Sequence, residues 1–318
     1  MKLKDLGERA LLQKLFKLLD SNPLGINEDA IAALTSSKRY TIVNIDSFVK
    51  STDAPEGMSF YHMGIKTVTM TVSDILSKGA KPEIFILSVV APSSTEVYNF
   101  NQVFKGIRDA CNFYFIKFLG GDLNSGDDLI LTGVAIGYTD SIIRRDGARP
   151  GDLVWSTGRF GNSGAALHYL LSSGKPIPEI NSILESFFAP KIDPKIFLPI
   201  SRIATAGMDS SDGLAITLNT IAEMSNVKII IENLPASEYS MAYARKNSLN
   251  YEDLVLFGGE EFEIIFTTRN LTAQEVKKQF AIVGCKPPIL IGRVKSGYGV
   301  YYKDTAIPSR GWEHFRRL

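Results

Sequence analysis

The chain has 318 residues, of which 45% are hydrophobic and 22% charged, a composition typical of a folded protein with room for two domains. Its 35 basic and 34 acidic side chains leave a net charge of +1, which argues against a partner such as nucleic acid or an anionic membrane, and no stretch approaches the roughly 20 apolar residues of a membrane span. Cys111 and Cys285 have neither CxxC spacing nor companion histidines, so we expect neither a zinc site nor a disulfide framework. This cysteine usage fits a reducing, cytoplasmic location, which we therefore expect.

Helical and strand patterns alternate along the first half of the chain, which indicates a mixed α/β fold. Leu and Phe at helical spacing predict a helix from Leu6 to Leu19, and a β-branched run predicts a short strand over Tyr40–Ile45 that ends on Asp46. The elements predicted next are a helix over Met63–Lys78, a strand over Phe85–Val90, a helix over Val97–Phe113, a strand over Phe115–Leu119 that leads into a Gly120-Gly121-Asp122 loop, and a strand over Ile130–Tyr138.

A charged stretch with Gly and Pro, Arg144–Asp152, predicts a domain boundary. The predicted domains are residues 1–143 and residues 144–318. The elements predicted in the second are strands over Leu153–Ser156, Lys228–Ile231 and Ile264–Thr267, helices over Ala165–Leu171 and Leu214–Met224, and a terminal segment over Gly292–Tyr302. The glycine-rich loop Thr157–Gly164 can offer backbone N–H groups to an anion, but it lacks the Gly-Lys-Ser/Thr ending of a Walker A motif.

Acidic residues recur in turns that carry Gly or Ser, and only folding could gather them. Such residues also occur in ordinary turns, which is the simpler interpretation of any one patch. Taken together, many carboxylates and few histidines favour a site for Mg²⁺ and phosphate, because Mg²⁺ prefers oxygen ligands. The patches are Asn27-Glu28-Asp29, Asn44-Ile45-Asp46, Ser73-Asp74, Gly120-Gly121-Asp122, Asp127-Asp128, Met208–Gly213 and Gly258–Glu261.

One long motif matches a known family. The pattern RxGAxPGDxVxxTGxxGxSxAxL occurs here from Arg145 to Leu167, and the acidic patches lie around it in the family's order, together with Lys66, Lys78–Pro82 and Gly311–Phe315. The chain resembles the thiamine-monophosphate kinase family, of the aminoimidazole ribonucleotide synthetase-like superfamily, over essentially its whole length.

This resemblance implies a two-domain fold of the aminoimidazole ribonucleotide synthetase type that works as a homodimer. The N-terminal domain would bind ATP and several Mg²⁺ ions and pair through its strands, and the C-terminal α/β domain would close the active site. The implied reaction is direct in-line transfer of the γ-phosphate of ATP to thiamine monophosphate, without a covalent intermediate.

The matched positions also imply the site residues. Asp212 and Arg145 would be catalytic, with Arg145 stabilising charge on the phosphoryl oxygens. The implied metal ligands are Asp29, Asn44, Ile45, Asp46, Asp74, Asp122, Asp209 and Asp212. The implied ATP contacts are Gly121, Asp122, Arg145 and Ser211, and the implied contacts to thiamine monophosphate are Asp53, Glu260, Glu261 and Trp312.

Several positions depart from the family pattern, among them Glu261, which conservatively replaces an aspartate. Glu28 lengthens an N-terminal carboxylate, Ile45 replaces a hydroxyl residue, and Asp53 stands where the family often has histidine. Two alternatives therefore stay open: a sister ATP-dependent synthetase of the same superfamily, and a nucleotide-binding regulator without catalysis. The sisters that use a terminal cysteine or an N-terminal loop cysteine fit less well, since the chain ends in Phe-Arg-Arg-Leu and Cys111 falls in a predicted helix.

Overall fold

A computed structural model describes residues 8–16, 22–25, 27–35, 39–172 and 174–312. The first half contains α1 (Glu8–Leu15), β1 (Ile31–Leu34), β2 (Tyr40–Val49), α2 (Lys50–Asp53), α3 (Phe60–Ser77), β3 (Lys81–Ala91), α4 (Val97–Phe113), β4 (Lys117–Ser125) and β5 (Ile130–Thr139). The second half contains β6 (Leu153–Ser156), α5 (Asn162–Ser172), α6 (Ile180–Phe188), α7 (Phe197–Ile203), β7 (Ala204–Asp209), α8 (Leu214–Met224), β8 (Lys228–Ile231), α9 (Glu238–Lys246), α10 (Tyr251–Phe257), β9 (Ile264–Thr268), α11 (Ala273–Ile282), β10 (Ile289–Lys295), β11 (Gly299–Tyr302) and β12 (Thr305–Ile307). The mixed α/β fold class is confirmed.

The first sheet has the strand order β1-β2-β5-β3-β4, in which β3 and β4 run parallel and the other neighbours run antiparallel. Alternate residues of β5 are buried, so one face of the sheet packs on the core and α3 contacts it. The α3 and α4 backbones approach closely at Gly64 and Gly106. The approach leaves no room for a larger residue, since a Cβ at Gly106 would lie 2.0 Å from the Tyr61 carbonyl oxygen. This packing fixes α3, the helix from which much of the site is built.

The opposite face of the first sheet carries apolar side chains that are only partly covered. Ile45 lies across from Val134, and Val134 lies across from Ile86, so the three form a row over neighbouring strands. Ile45 is 64% exposed and Ile86 is 36% exposed. Val43, Ile136 and Ile84 form the adjacent row of the same face.

The second sheet has the order β12-β11-β8-β10-β6-β9-β7, with β8 and β11 parallel. The larger buried apolar cluster contains side chains of both sheets, such as Phe85 and Trp155, so the two halves share a core. The division at residue 144 stays a prediction. Among the described residues, no helix combines the length and apolar character needed to cross a membrane.

Two sequence-based assignments are wrong, for a shared reason. Asp46 does not end a strand, because β2 continues to Val49 and pairs residue by residue with β5 along its whole length. Gly120-Gly121-Asp122 is not a loop, because β4 continues through it in parallel register with β3. A Cβ at Gly121 would lie 1.6 Å from the Leu87 carbonyl oxygen, so glycine permits this close pairing. Of the helix predicted over Leu6–Leu19, Glu8–Leu15 is helical, and several of its other residues lie outside the described ranges.

Candidate active site

One stripe of α3 supplies the centre of the site. Lys66, Ser73, Asp74 and Ser77 follow one another at spacings that place them on the same side of a helix. The helix begins at Ser59, whose side chain accepts a hydrogen bond from the His62 N–H group. Because Lys66, Ser73 and Ser77 are buried, this stripe faces the protein interior and not solvent.

Three carboxylates from distant parts of the sequence meet beside this stripe. Asp29 lies before β1, Asp74 lies on α3 and Asp209 ends β7, and one oxygen of each lies within 4.8 Å of the others. Ser73 Oγ donates to Asp209 Oδ2 at 2.8 Å. We call these three residues the carboxylate cluster.

Asn44 connects Asp46 to the cluster from β2. Its Nδ2 donates to Asp46 Oδ2 at 2.8 Å and to Asp74 Oδ2 at 2.5 Å. Asn44 and Asp46 are alternate residues of one strand, so both point to the face that α3 covers. Ile45, between them, points the other way.

Burial and mutual repulsion shift the proton equilibria of these carboxyls. Burial raises the pKa of Asp46 to about 7, and the charge of Asp209 adds to that shift. Burial, followed by the charges of Asp209 and Asp46, raises the pKa of Asp74 well above its usual range, and burial raises that of Asp209. A divalent cation would relieve this repulsion, and the donors are the hard oxygens that Mg²⁺ prefers. The residues present therefore fit a magnesium site.

Two cations border the cluster. Lys78 Nζ lies 2.7 Å from Glu28 Oε2 and 2.6 Å from Asp29 Oδ2, with both partners almost completely buried. Arg145 forms an ion pair with Asp29 and donates through Nη1 to the Asn27 carbonyl oxygen at 2.7 Å. Burial lowers the pKa of the Arg145 guanidinium, and its Nε has no hydrogen-bond partner among the described residues.

Glu28 has a role that its position in the sequence does not reveal. One carboxylate oxygen pairs with Lys78, and the other accepts the backbone N–H of Arg145 at 2.9 Å. The longer side chain therefore ties the end of α3 to the segment that carries Arg145. Glu28 positions both cations and is not a member of the carboxylate cluster.

The loop after β7 joins the segment before β9 through the backbone. The Ser211 carbonyl accepts the N–H of Glu260 at 2.5 Å, and the Ser210 carbonyl accepts that of Phe262 at 3.0 Å. The Trp312 N–H donates to the Asp212 carbonyl at 3.2 Å. The fold thus brings Ser211, Asp212, Glu260 and Trp312 into one neighbourhood.

Neighbouring glutamates of this segment have different surroundings. Glu260 is partly exposed and forms an ion pair with Lys66. Glu261 is half-buried, and its Oε1 accepts the N–H groups of Gly161 at 2.7 Å and Ser163 at 3.0 Å. Burial raises the pKa of the Glu261 carboxyl to about 7. The anion held by the glycine-rich loop in this structure is therefore the chain's own Glu261.

Other sequence-predicted residues make local contacts. Asp53 accepts the Val49 N–H at 2.7 Å, and Asp122, exposed on β4, accepts from Asn124 Nδ2 at 2.6 Å. Gly121 lies beside Asp122 on the same strand. The roles of these residues stay predictions.

Comparison with known proteins gives a consistent result. The family model AIR synthase related protein, N-terminal domain, matches residues 27–139. The thiamine-monophosphate kinase of Nitrosopumilus maritimus is 34% identical over 284 residues, which cover 88% of this chain and 90% of that protein. The thiamine-monophosphate kinase of Pyrococcus horikoshii is 33% identical over 315 residues, covering 97% and 96%. A solved structure described as "AaThiL complexed with AMPPCP and TMP" is similar with a TM-score of 0.89 and 29% identity, and 99% of each chain is covered.

Proposed function

The chain belongs to the thiamine-monophosphate kinase family, and we propose on that basis that it phosphorylates thiamine monophosphate with ATP, forming thiamine diphosphate and ADP. The observation that carries this proposal is the carboxylate cluster, which gathers Asp29, Asp74 and Asp209 from three separate parts of the chain. Two phosphates of like charge must approach each other in this reaction, so the protein has to neutralise charge and align the reacting groups. Direct in-line transfer needs no protein nucleophile.

Mg²⁺ ions complete the site in this proposal. The cluster would hold them with Asp46, Asn44 and the Ile45 carbonyl on β2, and with Asp212 and Asp122. Bound Mg²⁺ supplies charge neutralisation for the phosphates. The donor chemistry and the raised pKa values of the buried carboxyls support this assignment.

Arg145 is the proposed phosphate-binding cation. Its guanidinium lies at the cluster, and its Nε lacks a protein acceptor among the described residues, so a donor is available to a phosphate oxygen. Ser211, Gly121 and Asp122 would make the other contacts to ATP. Glu28 holds the backbone of Arg145 in place for this role.

The acceptor would lie between the two halves of the chain. Glu260 and Trp312 come together there through the loop that carries Asp212 and would contact the thiamine moiety. Glu261, the residue after Glu260, would contribute indirectly, by accepting hydrogen bonds from the glycine-rich loop. Asp53 would take the place of the family's histidine.

The partly uncovered face of the first sheet supports the proposal that the chain forms a homodimer. Ile45, Val134 and Ile86 form an apolar row across three strands, and two copies could cover these faces by pairing. In this arrangement residues 1–143 form the dimerising domain and residues 144–318 close the site. We place the enzyme in the cytoplasm, in line with two buried thiols, Cys111 and Cys285.

The dimer is tested by mass measurement in solution. Ile86→Glu puts a charge at one end of the apolar row and should convert a dimer into a monomer. Leu171→Glu is the matched control, because Leu171 is 73% exposed on α5. A wild-type chain that is monomeric at assay concentration would exclude the dimer.

The reaction is tested by incubating the purified chain with ATP, Mg²⁺ and thiamine monophosphate, with and without a chelator. Equimolar thiamine diphosphate and ADP, formed only with metal, are expected. Asp212→Asn should lower turnover by about 100-fold or more while the fold is retained, an effect typical of losing one group that stabilises transition-state charge. Asp127→Asn, an exposed acidic turn residue, should have no effect.

Other outcomes point to the alternatives. ADP released with inorganic phosphate would indicate a sister synthetase that lacks its own substrate. Binding of ATP and metal without turnover would indicate a regulator. Unchanged turnover in Asp212→Asn would remove this residue from the site.

A further inference from the structure

Lys66 is a buried cation to which the proposed reaction assigns no role. Its side chain is 1% exposed, and Nζ lies 2.7 Å from Glu260 Oε1 and 4.3 Å from the centre of the Phe187 ring. An ammonium group removed from water is costly unless a partner compensates for the lost hydration. The carboxylate and the aromatic face provide part of that compensation.

The hydrogen-bonding capacity of Lys66 is not used within the described part of the chain. Nζ and Oε1 are close enough for an ion pair, but the angle does not form a hydrogen bond, and no described residue supplies another acceptor. A lysine ammonium carries three N–H donors. A buried donor without an acceptor is unfavourable, so an acceptor from outside the chain would stabilise Lys66.

Glu260 retains an exposed side toward solvent. Its side chain is 34% exposed, so its carboxylate can also accept a hydrogen bond from a ligand. A donor and an acceptor therefore lie side by side.

The surrounding segment has two more unsatisfied polar atoms. Ser210 Oγ and Asn162 Oδ1 are buried without hydrogen-bond partners in the described structure. Both are next to the segment Glu260–Phe262, since Ser210 pairs with Phe262 through the backbone and Ser163 Oγ donates to the Glu260 carbonyl. Glu260 and Phe262 have φ values of 65° and 55°, a left-handed conformation that is uncommon for non-glycine residues.

The position of the pair fits one end of an elongated substrate. Lys66 precedes Asp74 by eight residues on α3, which corresponds to about 12 Å along the helix axis. The phosphate of thiamine monophosphate would lie at the carboxylate cluster, and the thiazolium and aminopyrimidine rings extend away from it. The aminopyrimidine is the ring farthest from the phosphate.

We propose that Lys66 and Glu260 together bind the aminopyrimidine ring, with Lys66 Nζ donating to a ring nitrogen and Glu260 accepting from the exocyclic amino group. This inference rests on thiamine monophosphate being the acceptor. An aminopyrimidine presents an acceptor nitrogen next to a donor amino group, which is the complement of an ammonium beside a carboxylate. The pair thus determines specificity for the ring, while the cluster binds phosphate.

The test uses a substrate analogue in which the hydrogen-bond donor and acceptor of the pyrimidine ring are exchanged. In oxythiamine monophosphate a carbonyl replaces the amino group, and the adjacent ring nitrogen carries hydrogen. The wild-type chain should prefer the amino substrate in kcat/KM by about 10- to 100-fold, since a mismatched buried polar group loses its partner. Lys66→Met should remove most of this preference by raising KM for the amino substrate, with KM for ATP unchanged.

Lys105→Met is the matched control. Lys105 Nζ also lies over a ring, 4.4 Å from the centre of Tyr61, and pairs with Asp109, but it is 60% exposed on α4. This variant should keep the full preference.

Several outcomes decide the inference. Loss of the preference in Lys66→Met supports it, and an equal fall in kcat/KM for both substrates overturns it, because a purely structural role would lower both alike. Glu260→Gln, which keeps the side-chain size, should also reduce the preference, and it gives the same decision if Lys66→Met does not fold. A wild-type chain that phosphorylates neither substrate contradicts the proposed function, whereas turnover without preference contradicts only the role of Lys66 and Glu260.

Discussion

Replacing Glu263 with glutamine should remove a pH-dependent loss of stability. Glu263 precedes β9, and Thr157 Oγ1 donates to its Oε2 at 2.5 Å. Burial raises the pKa of this carboxyl from 4.5 to about 7, and the Thr157 hydrogen bond only partly opposes that shift. A group whose pKa is raised on folding stabilises the folded state below its unfolded pKa. That stability is lost as pH rises through the folded pKa.

The size of the effect follows from the shift. The interval from 4.5 to about 7 corresponds to about 3 kcal/mol at alkaline pH. Between about pH 5 and about pH 8, the wild-type chain should lose about 2.5 kcal/mol relative to Glu263→Gln. Glutamine has the size of glutamate and can still accept a hydrogen bond from Thr157, so the substitution removes the charge with little change in packing.

Urea denaturation at several pH values measures this difference directly. The free energy of unfolding of Glu263→Gln should exceed that of the wild-type chain at about pH 8, with the gap closing toward about pH 5. Glu83→Gln is the control, because Glu83 is 44% exposed and its variant should follow the wild-type pH dependence. A difference between Glu263→Gln and wild type that stays constant over this range would refute the reasoning.

Gly106→Ala would place a methyl group 2.0 Å from a backbone carbonyl oxygen of α3, and we expect a loss of about 3 kcal/mol, measured as a lower denaturation midpoint. Gly311→Ala would bring a Cβ to 2.1 Å from the Asp212 carbonyl oxygen, so steady-state kinetics should show a higher KM for thiamine monophosphate with KM for ATP unaltered. Arg269→Met leaves the fully buried Asp152 without its guanidinium partner and should cost about 3–5 kcal/mol in urea denaturation, whereas an unchanged midpoint would mean that the pair is dispensable.

Local patterns in the sequence were sufficient to predict the bounds of those helices and strands whose first and last residues carry local signals. The predicted bounds of α4, β6, α8 and β8 agree with the structure. In α8 the start is set by Gly213, whose φ of 114° favours glycine, and the following residues have helical periodicity. Such signals act over a few residues, so they can be recognised without tertiary contacts.

Strand length was decided by partners that the sequence does not identify. Turn-like residues in Asn44-Ile45-Asp46 and Gly120-Gly121-Asp122 suggested strand ends, but pairing with β5 and β3 extends both strands through them. The free energy of sheet pairing depends on the neighbouring strand, so local propensity is a weak guide there.

The sequence by itself determined the kind of chemistry, because its acidic, histidine-poor turns and the long motif from Arg145 to Leu167 specify oxygen donors and a family. Only the tertiary structure decided which carboxylates meet, and it joined Asp29, Asp74 and Asp209 across most of the chain. The folded structure also showed that Glu261 accepts hydrogen bonds from a glycine-rich loop, whereas Glu28 pairs with Lys78 and accepts the backbone N–H of Arg145. The sequence cannot show this difference, because both residues are glutamates. The physical reason is that burial, distance and charge among side chains far apart in sequence exist only once the chain is folded.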